Sequence, residues 1–322
     1  MIEKKSREYE IEDVFRTYGV LTREAGFYFY FSRKIRELRE SGHEGTARAY
    51  ASSLRSMQRY LGKKDFPFIK LSSRIISDYQ GKLLASGICD NTIGFYLHNI
   101  KALFRKGCRE MGLELPCPFR DISIKTEKTL KRSLDPVVIK TLSAIELEKD
   151  SPLSLARDIF MFSFYTRGMS FVDIALLKKR HVFPGEICYR RHKTDQLMRV
   201  GINKEISRIL ERYKNVPGEY IFPLFPAERD PYAGYRNAYH RIRYSLGKIS
   251  RVIGLEFPLR LHAARHSWAT IAKVNGASLH VIGECLGHTS EKTTRIYLKE
   301  LDHSALDAVN NQVADFILAV DD

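Results

Sequence analysis

The sequence predicts a mostly α protein of two domains, an N-terminal helical bundle followed by a mixed α+β domain with one small antiparallel sheet. Three observations carry this reading. From Phe27 to about Gly112, aromatic and aliphatic residues recur every three or four positions, broken only by short turn signals. The stretch LELPCPFRDISIKTEKTLKRSLD, which begins at Leu113, loses that period and gathers prolines and basic residues. A single region of strand-like text, HVFPGEICYRRHKTDQLMRVGI, interrupts an otherwise helical second half. A chain of 322 residues is long enough for two domains with cores of their own.

Residues 1–19 are mixed in charge and weakly patterned, and read as a lead-in. The first domain spans 20–113, with helices near 25–40, 46–61, 71–86 and 91–110. Turn text separates them at 41–45, at Gly62 with Pro67, and at 86–91, and Asn91 with Thr92 is the expected N-cap of the fourth helix. Helices joined by such short turns pack as an antiparallel bundle. A basic linker follows over 114–134. The second domain spans 135–322, with helices over 135–147 and 153–165, and two or three strands with turns near Pro184-Gly185 and Asp195. Helices resume over 204–214, 234–253, 262–275, 278–286 and 291–300, and an amphipathic tail helix closes the chain at about 303–320.

Lys and Arg number 53 against 38 Asp and Glu, a net charge of +15 that points to a polyanionic partner, nucleic acid first and an anionic membrane surface second. The basic residues ride on helix faces: Arg48, Arg55 and Arg59 on the second helix, Lys101 and Arg105 on the fourth. Lys131 and Arg132 lie in the linker, and Arg191 at the tip of the strand region. Each set alone fits an ordinary solvated face; together they favour phosphate contacts on DNA. No apolar run approaches the roughly 20 residues of a membrane helix, so no membrane partner is expected. The charged start MIEKKSREYE has no signal-peptide core, so the expected location is the cytoplasm, with the nucleoid. Five scattered cysteines without a CxxC pair read as reduced thiols.

Three clusters carry chemistry. His262-Ala-Ala-Arg265 opens a helix, where positions i and i+3 share a face and can converge on one anion. LGHTSEKTTRIYL sets Tyr297 nine residues after His288. RRHKTDQ forms a basic tip around Lys193. His262 and His266 have the i, i+4 spacing of a zinc helix, but Ala263 stands where a metalloprotease needs Glu. Neither GxSxG nor GxxxxGK occurs, which removes serine hydrolases and P-loop NTPases. Taken singly, each His, Tyr or Lys has an ordinary structural explanation; their order along the chain does not.

HAARHSWAT, then LGH, then a tyrosine nine residues on resembles the C-terminal half of the tyrosine recombinase (phage integrase) family. The helical first half, the TLKRSL linker and the KT-bearing hairpin are similar to the same family. FYFYFSRKIREL and NTIGFYLHNIKALF resemble integrases of Bacteroides-type mobile elements. The resemblance implies a SAM-like core-binding domain and a catalytic domain acting on double-stranded DNA sites without a cofactor or metal. It implies attack by Tyr297 on a phosphodiester, a 3′-phosphotyrosyl intermediate, and a Holliday junction within a homotetramer that exchanges C-terminal helices. Accessory DNA-bending proteins belong to the same picture. Arg265 then stabilises the pentavalent phosphorus, His262 takes the tyrosine proton, His288 contacts phosphate, and Lys193 protonates the leaving 5′-oxygen. The alternatives are type IB topoisomerase-like relaxation and a silent DNA-binding relative.

The family's first catalytic arginine stands three residues before an acidic residue. Here the acidic residue is Asp173 in YTRGMSFVDIALL, and that earlier position holds Ser170. Arg167 lies one turn upstream, and shares a face with Ser170 if the helix reaches back that far. Arg167 is the expected substitute; the competing reading gives Ser170 a weaker hydrogen bond to the phosphate.

Overall fold

The computed structural model describes residues 26–125, 127, 133–225, 231–288, 290 and 293–295. The lead-in, Lys131, Arg132, Tyr297 and the expected tail helix lie outside the described residues, as does most of the helix expected over 291–300. The chain divides into two compact units between Thr129 and Leu130.

The first unit consists of α1 (Phe27–Glu40), α2 (Glu44–Leu61), α3 (Ser73–Ala85) and α4 (Asp90–Glu110), with a 3₁₀ turn at Phe68–Lys70. Gly26, the residue before α1, has no side chain to cap it. Asp65 does so from a distance, accepting from the backbone N–H of Tyr28 at 2.8 Å and of Phe29 at 2.9 Å. The core is aromatic: Phe27, Tyr30, Phe31 and Phe68 are fully buried, and Phe68 meets Phe27 and Tyr30 edge-on. Gly107 makes room for this cluster, since a Cβ there would stand 2.5 Å from the Phe68 ring. The expected cap at Asn91 and Thr92 is corrected. Cys89 occupies the N-cap of α4, while the Asn91 amide exchanges two 3.1 Å hydrogen bonds with the backbone of Glu127. Phe119 is buried against the same core, and Leu115, Ile122 and Ile124 pack against it.

The second unit holds α5 (Pro136–Ala144), α6 (Pro152–Tyr165), α7 (Phe171–Ala175), β1 (Val182–Phe183), β2 (Glu186–Arg190) and β3 (Leu197–Gly201). They are followed by α8 (Lys204–Arg212), α9 (Pro231–Val252), α10 (Leu261–Val274) and α11 (Leu279–Leu286). The strands form one antiparallel sheet in the order β1-β2-β3, with Tyr189 opposite Met198 and Ile187 opposite Val200. All four of these side chains are buried, as the two-residue period of a half-buried sheet requires. Helix α6 is apolar on every side at Ile159–Phe162, and α9 and α10 pack around it. Helix α5 stops at Ala144, short of the expected 147: Ile145 turns extended and its carbonyl accepts from Arg157 at 2.8 Å. The Ser267 hydroxyl accepts from the backbone of Leu134 at 2.7 Å, fixing the entry of this unit onto α10. Among the described residues, no helix is long and apolar enough to cross a membrane.

Candidate active site

The site is assembled around Arg265, one turn into α10 and only 5% exposed. A buried guanidinium must spend its donors on acceptors. Nη1 donates to the carbonyl of Gly168 at 2.8 Å, and Nη2 donates to the carbonyl of Leu286 and lies 3.0 Å from Nε2 of His288. The turn at Gly168 closes directly on the arginine. A Cβ at this position would stand 2.6 Å from Cγ of Arg265 and 2.8 Å from its Cα, and φ is +75°. Only glycine meets both demands.

His288 is held by the end of α11. Gly287 adopts the left-handed conformation at φ 63°; its N–H donates to Glu284 and that of His288 to Gly283, closing a Schellman cap. Nδ1 of His288 is 3.0 Å from Oγ1 of Thr294, a residue with no exposed surface. A Cβ on Gly283 would stand 2.9 Å from that hydroxyl oxygen, so this glycine makes the seat for Thr294. Burial, then the cations Arg265, Arg191 and Lys193, push the His288 imidazole down from 6.5 to about 4. It is therefore neutral near pH 7. His262 is exposed in the first turn of α10, its ring edge-on to buried His266 at 5.0 Å.

The condition for Arg167 and Ser170 to share a helix face, a helix reaching back from Ser170 to Arg167, is not met. Helix α6 ends at Tyr165 in another Schellman cap, with Arg167 donating to Phe164 and Gly168 donating to Ser163. Arg167 itself takes the left-handed position at φ 61°, unusual for a residue with a side chain. Ser170 is the N-cap of α7: its hydroxyl accepts from the N–H of Asp173 and donates to the Asp173 carboxylate at 2.6 Å. Arg167 and Ser170 therefore sit on a turn and a cap, not on one helix face. Arg167 reaches toward β3, with Nη1 3.5 Å from the carbonyl of Arg199.

Lys193 is exposed at the tip between β2 and β3. Next to it, the N–H of His192 donates to Asp173 at 2.8 Å, and Arg191 Nη1 donates to the carbonyl of Gly287. The structure thus gathers Arg265, His288, Arg191 and the turn of Arg167 in one place, and the Lys193 charge is among those that lower the His288 imidazole. Tyr297 lies outside the described residues; Arg295, two positions before it, is described.

Of the basic candidates in the first unit, Arg55, Arg59 and Arg105 are exposed and Lys101 is half-buried, while Arg48 is paired with Glu44 at 2.7 Å. Sequence reasoning missed a groove of about 360 Å³ in the second unit, lined by His240, Arg243, Tyr244, Lys248, Arg251 and Arg260. Lys248 Nζ lies 4.8 Å from the centre of the Tyr244 ring. The signal was legible, because the α9 members of this set recur at three- and four-residue intervals. Thr294 left no such trace, being a threonine whose role depends on a partner six residues away.

The model of the phage integrase family matches residues 133–303, and that of the phage integrase SAM-like domain matches 26–119. Tyrosine recombinase XerC of Shewanella oneidensis is 26% identical over 226 residues, which is 67% of this chain and 70% of that protein. Tyrosine recombinase XerD of Pseudomonas putida is 24% identical over 262 residues, 79% of this chain and 86% of that one. Among solved structures, a lambda integrase dimer bound to a COC′ core site aligns with a TM-score of 0.64 at 17% identity, covering 86% of this chain and 98% of that one. The Tn1549 transposon integrase in complex with a circular intermediate DNA aligns at 0.65 and 15%, covering 89% and 99%. At these identities the likeness to the solved structures is one of fold.

Proposed function

Because the chain belongs to the phage integrase family, the tyrosine recombinases, we propose that it breaks and rejoins double-stranded DNA at specific sites. The observation that carries this reading is the buried Arg265, preset by two carbonyls and His288 before any substrate arrives. Phosphoryl transfer concentrates negative charge on the non-bridging oxygens, and a donor fixed in advance stabilises it without reorganisation.

In the proposed step the Tyr297 oxygen bonds to phosphorus as the bond to the 5′-oxygen breaks. The phenol has an unperturbed pKa of about 10 and needs a base; exposed His262 takes its proton. Lys193 gives a proton to the departing 5′-oxygen. A 5′-hydroxyl from the other site then reverses the step, and the bond count is conserved throughout. Arg167 supplies the second guanidinium, since the hydroxyl of Ser170 is engaged in capping α7. Neutral His288, whose Nε2 accepts from Arg265, orients that guanidinium for the phosphate.

The first unit serves as the core-binding domain, holding DNA through Arg55, Arg59, Lys101 and Arg105, and the α9 groove supplies further phosphate contacts. Two sites and four protomers, coupled by their tail helices, pass through a Holliday junction in the cytoplasm, where accessory proteins bend the DNA. The test is a nicked half-site that traps the covalent intermediate, run beside a two-site recombination assay. Wild type should form a covalent complex and recombinants, and Tyr297→Phe neither. Joining by Tyr297→Phe, or relaxation of supercoils without recombinants, would overturn the reading.

A further inference from the structure

Arg191 follows the last residue of β2 and opens the turn that carries Lys193. As a DNA contact it would point to solvent. Instead its side chain is half-buried, and Nη1 donates to the carbonyl of Gly287, the left-handed residue beside His288. Gly287 is enclosed from the same side: a Cβ there would stand 3.0 Å from Sδ of Met198 and 3.3 Å from both Nη1 of Arg191 and Oε1 of Gln196. The backbone of Arg191 also closes the hairpin, donating to Gln196 at 2.8 Å and accepting from Asp195 at 2.8 Å. Beyond it, the N–H of His192 is anchored on Asp173, whose other oxygen accepts from Ser170.

Lys193 is the one functional group here on a long flexible stem at an exposed tip. Its reach toward the leaving oxygen depends on where the hairpin stands relative to the phosphate-binding groups. We propose that Arg191 is a positioning residue that registers the Lys193 hairpin onto the turn carrying His288. The guanidinium is suited to this because its planar fork aims a donor in a fixed direction, which an ammonium does not. The proposal rests on the reading of Lys193 as proton donor to the 5′-oxygen.

The experiment compares two nicked duplexes, one with the ordinary 5′-oxygen at the scissile phosphate and one with a 5′-bridging sulfur. A thiolate leaves without being protonated, so a defect confined to proton delivery disappears on the sulfur duplex. Arg191→Met should cleave the oxygen duplex about 100-fold more slowly, the scale of a misplacement near 1 Å, yet fall less than about threefold on the sulfur duplex. Its DNA affinity should stay within about twofold of wild type, since no phosphate contact is removed. Arg191→Lys should show the same split in smaller measure, and Lys193→Ala should be rescued fully by sulfur. If Lys193→Ala is rescued but Arg191→Met loses equally on both duplexes, or loses affinity alone, Arg191 is not a positioning residue and the proposal falls by itself. If Lys193→Ala remains defective on sulfur, the proton-donor reading falls and takes the proposal with it.

Discussion

Nε2 of His288 lies 3.0 Å from Nη2 of Arg265, and because a guanidinium only donates, that imidazole nitrogen is the acceptor. The ring proton therefore resides on Nδ1, where it donates to Oγ1 of Thr294 at 3.0 Å. One tautomer is selected, and a threonine three residues before Tyr297 is tied through an imidazole to the guanidinium at the centre of the site.

His288 should resist protonation. Its depressed value means the folded protein stays unprotonated there while the unfolded chain takes up a proton below about 6.5. Stability from this residue is thus fully present above pH 6.5 and is lost as the pH falls toward 4. A resonance for His288 that titrates in the free protein at 6 or above contradicts this. Replacing His288 with Gln should flatten the decline in stability over that window.

Thr294 is the residue to test for the tautomer. Thr294→Val keeps the shape and removes the acceptor, and should slow strand cleavage about tenfold, the value of one buried hydrogen bond of about 1.4 kcal/mol. Thr294→Ser should restore most of the rate. Equal rates for the valine and threonine proteins on a nicked half-site would exclude the link.

The left-handed turn sets Arg167 and Ser170 apart. Arg167→Gly relieves an unfavourable backbone position and should raise stability by up to about 1 kcal/mol in denaturant melts while cleavage falls at least tenfold. Ser170→Ala should instead cost about 1 kcal/mol of stability through loss of the α7 cap. Near-normal cleavage by Arg167→Ala would give the role to another residue.

The α9 groove is tested by salt. Arg243→Gln with Arg251→Gln should reduce the slope of log affinity against log salt by about two, since each lost phosphate contact is worth about 0.9. Single-turnover cleavage at saturating DNA should be unchanged. An unaltered slope would leave the groove without a role in DNA binding.

Much of the architecture was readable because it follows local period. The four helices of the first unit and the strand region are written in spacing, and HxxR and LGH announce a helix start and a glycine-capped helix end. The placement of Arg167 was not readable, because a left-handed residue with a side chain at the end of α6 breaks the rule that reserves such positions for glycine. Nor was the inward turn of Arg191: its partner Gly287 lies 96 positions away, and nothing in RRHKTDQ says which basic residue faces the core. The cap of α4 failed for a similar reason, since Asn91 found a better partner in Glu127.

Two bare α-carbons, at 168 and 287, lie against the guanidinium and beneath the hairpin; a methyl would overfill the first space and crowd the second, and both residues hold a left-handed φ. Copying the charged side chains onto another scaffold would therefore not reproduce this machinery. What must be transplanted as well is the close main-chain approach of Gly168 to Arg265 and the left-handed turn at Gly287, and a graft that omits them would arrange the right functional groups around the wrong void.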